Sequence, residues 1–481
     1  MQNNSLKRNA ILNIIYKLSS MIFPLIVYPY VSRILKAEYL GKVTFFSNIS
    51  SYGMLLGSLG ISVYGIRAVA KARNNKQKLS KTVKELFILN TIVTALVVLG
   101  LIISTVWVSK FRVDRWLFFI SIAQIVISVF SMEWLFSGLE QYSYITKRAI
   151  LFKLISLILI FSFVHTREDY IKYAFIMAIS SVGNYACNFI YSSKFINWYS
   201  KEKLELRKHL KPTLTLFASL LAISIYTSLD SVMLGFINGD NAVGLYDVAV
   251  KAKTVVLSLI NAISTVLLPR LSFYVSQNNE SLYKETIRKS IRIILMISIP
   301  LTVFFEVEAF DTILILGGES YRDAVLCMMI LMPILVISGF SNITGNQVLI
   351  PHGLDKHYNK AVVCGAFIDL FLNIVFMPHF GIYGAAFATL IAEIIQMSVQ
   401  TFYSRQYLRG QFNWPFIKRI VMAALVSGIV TVVVRNILLF NAIVNIMICC
   451  GVYGGIYILL LRWFKIEEAN EFFRIVLKNK L

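Results

Sequence analysis

Apolar runs of about 20 residues recur along this chain, separated by short polar joints. As a helix, such a run is about 30 Å long, which matches the hydrocarbon layer of a bilayer. Hydrophobic residues make up 57% of the chain and charged residues only 15%, whereas a soluble domain carries about 25% charged residues. The sequence therefore predicts a polytopic membrane protein.

About fourteen transmembrane helices are predicted. They lie near residues 11–35, 43–65, 86–108, 116–138, 149–164, 171–192, 212–237, 244–268, 291–310, 324–350, 361–378, 383–403, 419–436 and 443–464. In lipid, a span must satisfy its own backbone hydrogen bonds, and the sequence lacks the period-two pattern of a barrel. The predicted fold class is thus an all-α polytopic membrane protein.

The positions of the cations predict the orientation, because Lys and Arg near span ends are retained on the cytoplasmic side. With the N-terminus inside, most of the 47 Lys and Arg residues fall on inner joints, above all near residues 67–84 and 194–211. Both termini are therefore predicted to be cytoplasmic, and the basic joints are expected to touch anionic lipid headgroups. The formal charge of +22 follows the topology instead of forming one basic face, so no nucleic-acid partner is expected.

The chain lacks sequence signs of catalysis, metal binding or ATP hydrolysis. Its five cysteines lie within predicted spans without C-x-x-C spacing, and its five histidines are scattered over the joints. No phosphate-cradling G-x-x-x-x-G-K-[ST] segment and no long inserted loop are present. The sequence predicts a non-enzymatic transporter without metal or cofactor, and it leaves coupling to protons or sodium open.

A weak internal repeat predicts the domain organisation. Residues 32–43 parallel residues 231–246: in both, a span ends, an outer turn with a glycine follows, and the next span begins. The copies begin at the first and seventh helices, so each has an even number of helices and the same orientation. We predict six-helix lobes at 1–211 and 212–404 around a central cavity, with two additional helices and a cytoplasmic tail in 405–481. Chance similarity between apolar segments is the alternative.

Several segments carry a family resemblance. They are NIIYK at 13–17, FPL at 23–25, PYVSR at 29–33, LGI at 59–61, YGIR at 64–67, EWLFSGLE at 133–140, YIT at 144–146, GNQ at 345–347 and PHFGIYGAA at 378–386. In these segments the chain resembles Wzx-type polysaccharide repeat-unit flippases, over nearly its whole length. The chain departs from the family pattern at Glu133, where similar sequences often have Asp, and at Asp369, where they have Asn, which leaves the roles of both acids open.

The resemblance implies the multidrug, oligosaccharidyl-lipid and polysaccharide exporter superfamily. It implies that an undecaprenyl-diphosphate-linked oligosaccharide crosses the bacterial cytoplasmic membrane, from the inner to the outer leaflet, for capsule or another surface polysaccharide. Alternating access of the central cavity is the expected mechanism, and a polysaccharide polymerase and assembly proteins are expected partners. A multidrug or organic-cation antiporter with an acidic cavity and a lipid II flippase of the same superfamily are the alternatives.

Cations within spans are candidates for binding the diphosphate. Burying a charge at the bilayer centre costs about 2.5 to 3.5 kcal/mol, so such residues are expected to face the cavity. The candidates are Arg33, Lys17 and Lys251. Arg33 is favoured because a guanidinium binds phosphate oxygens bidentately. Snorkelling of Arg33 and Lys17 to lipid headgroups is the alternative.

Three acids within spans are candidates for ion coupling. Asp230, Asp369 and Asp247 are expected either to bind a coupling ion or to form internal salt bridges. Asp247 precedes Lys251 by four residues, which places both on one helix face. The sequence alone leaves the sign of the cavity open.

Aromatic and proline residues complete the predicted site. Tyr16, Tyr30 and Tyr246 are candidates for contact with sugar rings, with anchoring at the membrane interface as the alternative. Pro24 and Pro29 each remove a backbone donor from the first span. We expect them to bend that helix and form a gate, with a static kink as the alternative.

Overall fold

The computed structural model describes residues 2–199, 203–437 and 440–466, and within these ranges the chain forms helices and joints without a β-strand. It divides into two compact units, Met1–Gly244 and Leu245–Leu481. The first unit contains α1 (Gln2–Ser58), α2 (Ile61–Ala72), α3 (Lys76–Ser104), α4 (Ser109–Val113), α5 (Arg115–Ile127), α6 (Glu133–Gly138), α7 (Tyr142–Phe163), α8 (Tyr170–Ser192) and α9 (Arg207–Ile237). The next helix, α10 (Asp240–Ser276), begins in the first unit and continues into the second.

The second unit continues with the remaining helices. They are α11 (Glu280–Val307), α12 (Ala309–Leu316), α13 (Ala324–Leu331), α14 (Ile334–Asn342), α15 (Asp355–Leu408), α16 (Trp414–Ile437) and α17 (Ala442–Trp463). A π-helix, Ile343–Leu349, directly follows α14.

The helix lengths and apolar character agree with the predicted class. In the described part of the chain, seven helices are long and apolar enough to cross a membrane, or up to ten if each of three bent pairs forms one span. The prediction of an all-α membrane protein is confirmed. Every predicted span overlaps a helix, but the count of fourteen crossings stays a prediction.

Two very long helices each contain one break. In α1 the residue outside helical geometry is Lys36 (φ 60°), and in α15 it is Gly381 (φ 53°). Glycine adopts such a backbone readily, whereas lysine rarely does. Both breaks fall where the sequence predicts a short turn between two spans. The helix continues through Pro24 and Pro29, so a gate at these prolines stays a prediction.

The two copies of the predicted repeat contact each other within the first unit. A Cβ on Gly41 would overlap the carbonyl oxygen of Asp240, and a Cβ on Gly244 would overlap that of Ala37. When a twofold axis relates two copies, each contact from the first copy to the second is repeated from the second copy to the first. The reciprocal glycine contacts support the internal repeat. The lobe boundaries at 211/212 and 404/405 stay predictions.

An aromatic core fixes the short helix α6. Trp134, Leu135 and Phe136 are buried in a cluster that includes Val69 of α2 and Leu86 of α3. The Trp134 ring packs closely on Gly65, where a Cβ would lie 2.8 Å from it. With three consecutive apolar side chains anchored, the residue before them, Glu133, is held in place.

Candidate functional site

A buried arginine lies at the centre of a polar cluster in the first unit. Arg148 of α7 is 6% exposed. Its Nη2 donates to Oε1 of Glu133 at 3.0 Å, and its Nε donates to Oδ1 of Asn184 at 2.8 Å. Its guanidinium lies 5.2 Å from the ring centre of Tyr144. The cluster thus joins α6, α7 and α8 around one cation.

The backbone just before α6 sets the position of Glu133. A 3₁₀ turn, Ser128–Ser131, ends at Met132, which adopts the left-handed conformation (φ 41°). This break starts a new helix at Glu133. The Glu133 side chain is 49% exposed while its partner Arg148 is nearly covered, so the carboxylate remains accessible at one edge of the pair.

Further contacts connect α7 to α1 along their length. Lys153 Nζ donates to Ser19 Oγ at 3.3 Å, and the Tyr30 hydroxyl donates to the carbonyl of Val164 at 2.9 Å. The two contacts are eleven residues apart on both helices, so α1 and α7 run in parallel. Each interval covers about 16 Å of helix.

Arg33 lies beyond these contacts, three residues after Tyr30 and three before the break at Lys36. Its side chain is exposed, and its Nη1 donates to the carbonyl of Pro29 at 3.1 Å. Residues three apart share one side of a helix, so Arg33 lies one turn after Tyr30 on a similar side of α1. We call Arg148, Lys153 and Arg33 the cation track.

The other predicted cations are placed differently. Lys251 Nζ lies 2.5 Å from Oδ2 of Asp247, four residues earlier in α10. The side chains of Lys17 and Tyr16 lie outside the described residues. Lys251 thus belongs to the second unit and pairs within its own helix.

The remaining predicted residues are mostly buried. Asp230 is 4% exposed in the first unit, and Asp369 is 1% exposed in the second, with Asn373 fully buried one turn later. Tyr246 is 2% exposed, and its hydroxyl is 3.1 Å from that of Thr389. The roles of these residues in ion coupling and sugar contact stay predictions.

The sequence analysis missed Arg148 and Lys153 as site residues. It grouped both with the topological cations of an inner joint, whereas the structure places them in α7. The available signal was the acidic residue of the EWLF segment, Glu133, because a carboxylate at the end of a predicted span is a candidate partner for a nearby cation. The spacing of 15 residues across a turn gave no indication of that partner.

A second polar cluster ties the first turn of α9 to α3. Glu85 is fully buried; its Oε2 lies 2.9 Å from Nε2 of His209 and 2.9 Å from Nζ of Lys208. The Tyr64 hydroxyl lies 2.9 Å from Nδ1 of the same histidine. In the described ranges, no group of His, Cys, Asp and Glu side chains has the arrangement of a metal site.

The fold defines a multi-pass membrane protein, and comparisons with known proteins identify its family. The chain resembles lipid II flippase MurJ in an inward closed conformation, with a TM-score of 0.73, 16% identity and coverage of 95% of this chain and 99% of that one. It also resembles an inward-facing multidrug resistance transporter of the MATE family, with a TM-score of 0.62, 16% identity and coverage of 82% and 94%.

Residues 6–275, more than half of the chain, match the family described as polysaccharide biosynthesis protein. The chain belongs to this family. A relative from Escherichia coli strain K12 that is named as an O-antigen transporter is 26% identical over 416 residues, which cover 83% of this chain and 97% of that protein. The predicted family resemblance is confirmed, and the names of these relatives are consistent with a non-enzymatic transport role.

Proposed function

We propose that this chain carries an undecaprenyl-diphosphate-linked oligosaccharide from the inner to the outer leaflet of the cytoplasmic membrane. The product serves synthesis of capsule or another surface polysaccharide, and transport proceeds by alternating access. The proposal draws support from the family match and from the names of the relatives. The observation that carries it for this chain's own residues is the cation track along α7 and α1.

In the proposed mechanism, the three cations mark successive heights along the path of the diphosphate. Arg148 and Lys153 are five residues apart in α7, about 7.5 Å along its axis. Val164, the neighbour of Tyr30, follows sixteen residues after Arg148, about 24 Å further along α7, and Arg33 lies just beyond it on α1. Cations placed at intervals across most of a bilayer let an anion pass from one to the next without entering hydrocarbon alone.

The two parts of the cargo make different demands. A sugar hydroxyl without a partner costs several kcal/mol in an apolar medium, and a charged diphosphate costs far more. The headgroup therefore needs a polar path, while the polyprenyl tail remains in lipid. In unit 1 the contacts between α1 and α7 supply the ammonium of Lys153 and the hydroxyl of Tyr30, and Arg148 adds a cation in the neighbouring cluster of α6, α7 and α8.

The cation pattern places the track in order from inside to outside. Arg148 lies near the joint predicted to be cytoplasmic, and Arg33 lies near the joint at residues 164–169, predicted to be external. We assign Arg148 to uptake and Arg33 to release. Protons or sodium ions bound at Asp230, Asp369 or Asp247 are the proposed energy source, and a polysaccharide polymerase and assembly proteins are the proposed partners that receive the product.

Export measurements with single variants test the proposal. Arg33→Ala and Lys153→Met are each expected to reduce surface polysaccharide by about tenfold or more, because a charge-assisted hydrogen bond contributes about 1.5 to 3 kcal/mol. Lipid-linked sugars should accumulate in the same cells. Surface polysaccharide is measured in cells that lack the native chain and express the variant at equal membrane levels.

Arg112→Ala is the matched control, because Arg112 is an exposed cation that donates to Ser109 away from the track. It should export within about twofold of the native chain, as expected for an exposed surface charge. Normal export by both Arg33→Ala and Lys153→Met would show that the cation track has no role in transport. The sugar that accumulates in the deletion strain identifies the cargo, and accumulation of lipid II alone would replace the polysaccharide substrate by lipid II.

A further inference from the structure

The second unit contains a polar cavity far along the chain from the cation track. Its volume is about 420 Å³, within the range of about 300 to 1,000 Å³ typical of small-molecule sites. Its walls include Tyr274, Asn279, Tyr283, His352, Gln406 and Tyr407. These residues come from the end of α10, the joint after it, the start of α11, the joint before α15 and the end of α15, all predicted to lie on the cytoplasmic side.

One wall of the cavity is a stack of aromatic rings. The ring of His352 lies between two tyrosines: its centre is 3.9 Å from that of Tyr407 and 5.0 Å from that of Tyr283, which meets it edge-on. The hydroxyl of Tyr274 accepts a hydrogen bond from Nε of Arg270 at 2.7 Å. This side of the cavity therefore presents the flat apolar faces of aromatic rings, which are bordered by polar atoms.

The aromatic wall is held in place by the π-helix at residues 343–349. The Tyr283 hydroxyl donates to the carbonyl of Gln347 at 3.2 Å, and Nδ1 of His352 lies 2.8 Å from the carbonyl of Val348. The carbonyl can only accept, so Nδ1 of His352 is the donor. π-helices occur often at functional sites. The rings are therefore fixed before any ligand arrives.

The charges of the cavity are balanced. Lys284 and Glu280 both line it, and they pair with each other at 2.6 Å. The other polar lining groups are the tyrosine hydroxyls, the imidazole of His352 and amides, among them those of Asn278 and Gln406. The two charged lining residues neutralise each other, and the amides and tyrosine hydroxyls suit a neutral ring with several hydroxyls.

We propose that this cavity binds a sugar ring of the cargo glycan on the cytoplasmic side, before the glycan is translocated. This inference rests on the proposed function and names an additional site for its substrate. A pyranose ring lies against Tyr407 and His352, and its hydroxyls exchange hydrogen bonds with Gln406 and Asn279. The cavity selects which glycan is presented to the transport path, while the cation track acts on the diphosphate.

Binding of free oligosaccharide to the full chain in phosphatidylethanolamine nanodiscs tests this proposal. The probe is the oligosaccharide released by mild acid from the lipid-linked sugars that accumulate in the deletion strain. Tyr407→Leu is expected to weaken its binding by about fivefold to tenfold, since an aromatic contact contributes on the order of one tenfold factor. Gln406→Ala, at an exposed position that does not support the fold, should weaken it by about threefold.

Tyr403→Leu is the matched control. Tyr403 lies one turn earlier on α15, and its ring centre is 4.3 Å from that of another histidine, His357, outside the cavity. Its loss should leave oligosaccharide binding unchanged. Equal effects of Tyr403→Leu and Tyr407→Leu, or no effect of Tyr407→Leu and Gln406→Ala, would overturn the proposal.

Two further outcomes distinguish a sugar site from a lipid headgroup site and from a failure of the transport function. If Tyr407→Leu leaves the sugar bound but reduces retention of phosphatidylglycerol in mixed nanodiscs, the cavity is a lipid headgroup site and the proposal is wrong. If the deletion strain accumulates lipid-linked sugar that fails to bind the native chain, the sugar site is wrong while the proposed transport function stands. If no lipid-linked sugar accumulates at all, both proposals fail.

Discussion

A single carboxylate, Asp169, holds together the joint between α7 and α8. Its Oδ1 lies 2.6 Å from Nζ of Lys172. Its Oδ2 accepts hydrogen bonds from the backbone N–H groups of His165 at 3.0 Å and Thr166 at 2.8 Å. The hydrogen bond from Lys172, followed by that from the His165 backbone, holds the pKa of Asp169 well below its ordinary value of 3.8.

Asp169→Asn should lower the free energy of unfolding by about 1 kcal/mol at neutral pH, because capping contacts of this kind contribute that much. The folded-state pKa is depressed, so the stabilisation is complete at pH values above the ordinary pKa and is lost as the pH falls through the folded-state pKa. The difference between native chain and variant should thus be constant from pH 8 to about pH 5 and shrink only below about pH 4. Unfolding in detergent at several pH values measures it.

Glu168→Gln provides the comparison, since Glu168 is the exposed neighbour of Asp169. It should change the unfolding free energy by no more than a few tenths of a kcal/mol. A difference between native chain and Asp169→Asn that vanishes already near pH 6 would show that the carboxylate has no depressed pKa.

The residues of the candidate site differ in how far the sequence could predict them. Arg33 stands in a recognisable segment, and the four-residue spacing of Asp247 and Lys251 already placed them on one helix face. The pairing of Arg148 with Glu133 depends on the left-handed turn at Met132 and on the packing of α6, neither of which leaves a periodic signal. When a turn and a tertiary contact bring two residues together, only the three-dimensional structure can identify them as partners.

At the scale of elements, one close helix contact depends on two glycines. Gly41 of α1 packs on the backbone of Asp240 and Gly244 at the start of α10, and Gly244 packs on that of Ala37. Backbone atoms cannot move aside as a flexible side chain can. Small residues are the usual means by which helices approach so closely in a membrane.

Gly41→Ala is expected to force α1 and α10 apart and to lower the free energy of unfolding by about 1 to 3 kcal/mol, the usual cost of overpacking. Gly100→Ala is the matched control, because Gly100 lies in α3 with no atom near its missing Cβ. Alanine there should be neutral or stabilise the helix by up to about 1 kcal/mol. Thermal unfolding of both variants in detergent compares them, and an equal response would contradict the assigned contact.

The helices themselves were predictable because hydrophobic length dominates in lipid. The long apolar runs predicted most ends of α3, α8, α16 and α17 to within a few residues. The exception is the N-terminal end of α3, whose first turns are polar. Their continuation past the apolar limits was not predictable, since the polar ends of α3 and α11 are stabilised by tertiary partners such as Lys208 for Glu85. The π-helix at 343–349 also leaves no mark in hydrophobicity.

At the scale of the whole chain, ion pairs join segments that the cation pattern assigns to the same side. Lys42 pairs with Asp114 at 3.3 Å across two joints predicted to be external. Arg73 pairs with Glu140 at 2.7 Å across two joints predicted to be cytoplasmic. The parallel course of α1 and α7 requires an odd number of crossings between them, as the predicted spans provide. These contacts support the predicted alternation of the joints between the two sides of the membrane, whereas the orientation with both termini in the cytoplasm stays a prediction.

Cysteine labelling in intact cells tests that orientation. The native cysteines, of which Cys450 is exposed, are first replaced by serine or alanine, and then Arg112→Cys and Glu140→Cys are introduced singly. Both positions lie on joints outside the helices' apolar stretches. A membrane-impermeant maleimide should label residue 112 in intact cells and residue 140 only after the membrane is opened, because positive joints are retained in the cytoplasm. If residue 140 is labelled in intact cells and residue 112 is protected, the chain has the opposite orientation in the membrane. Arg148 and Arg33 would then act on the cargo in the reverse order.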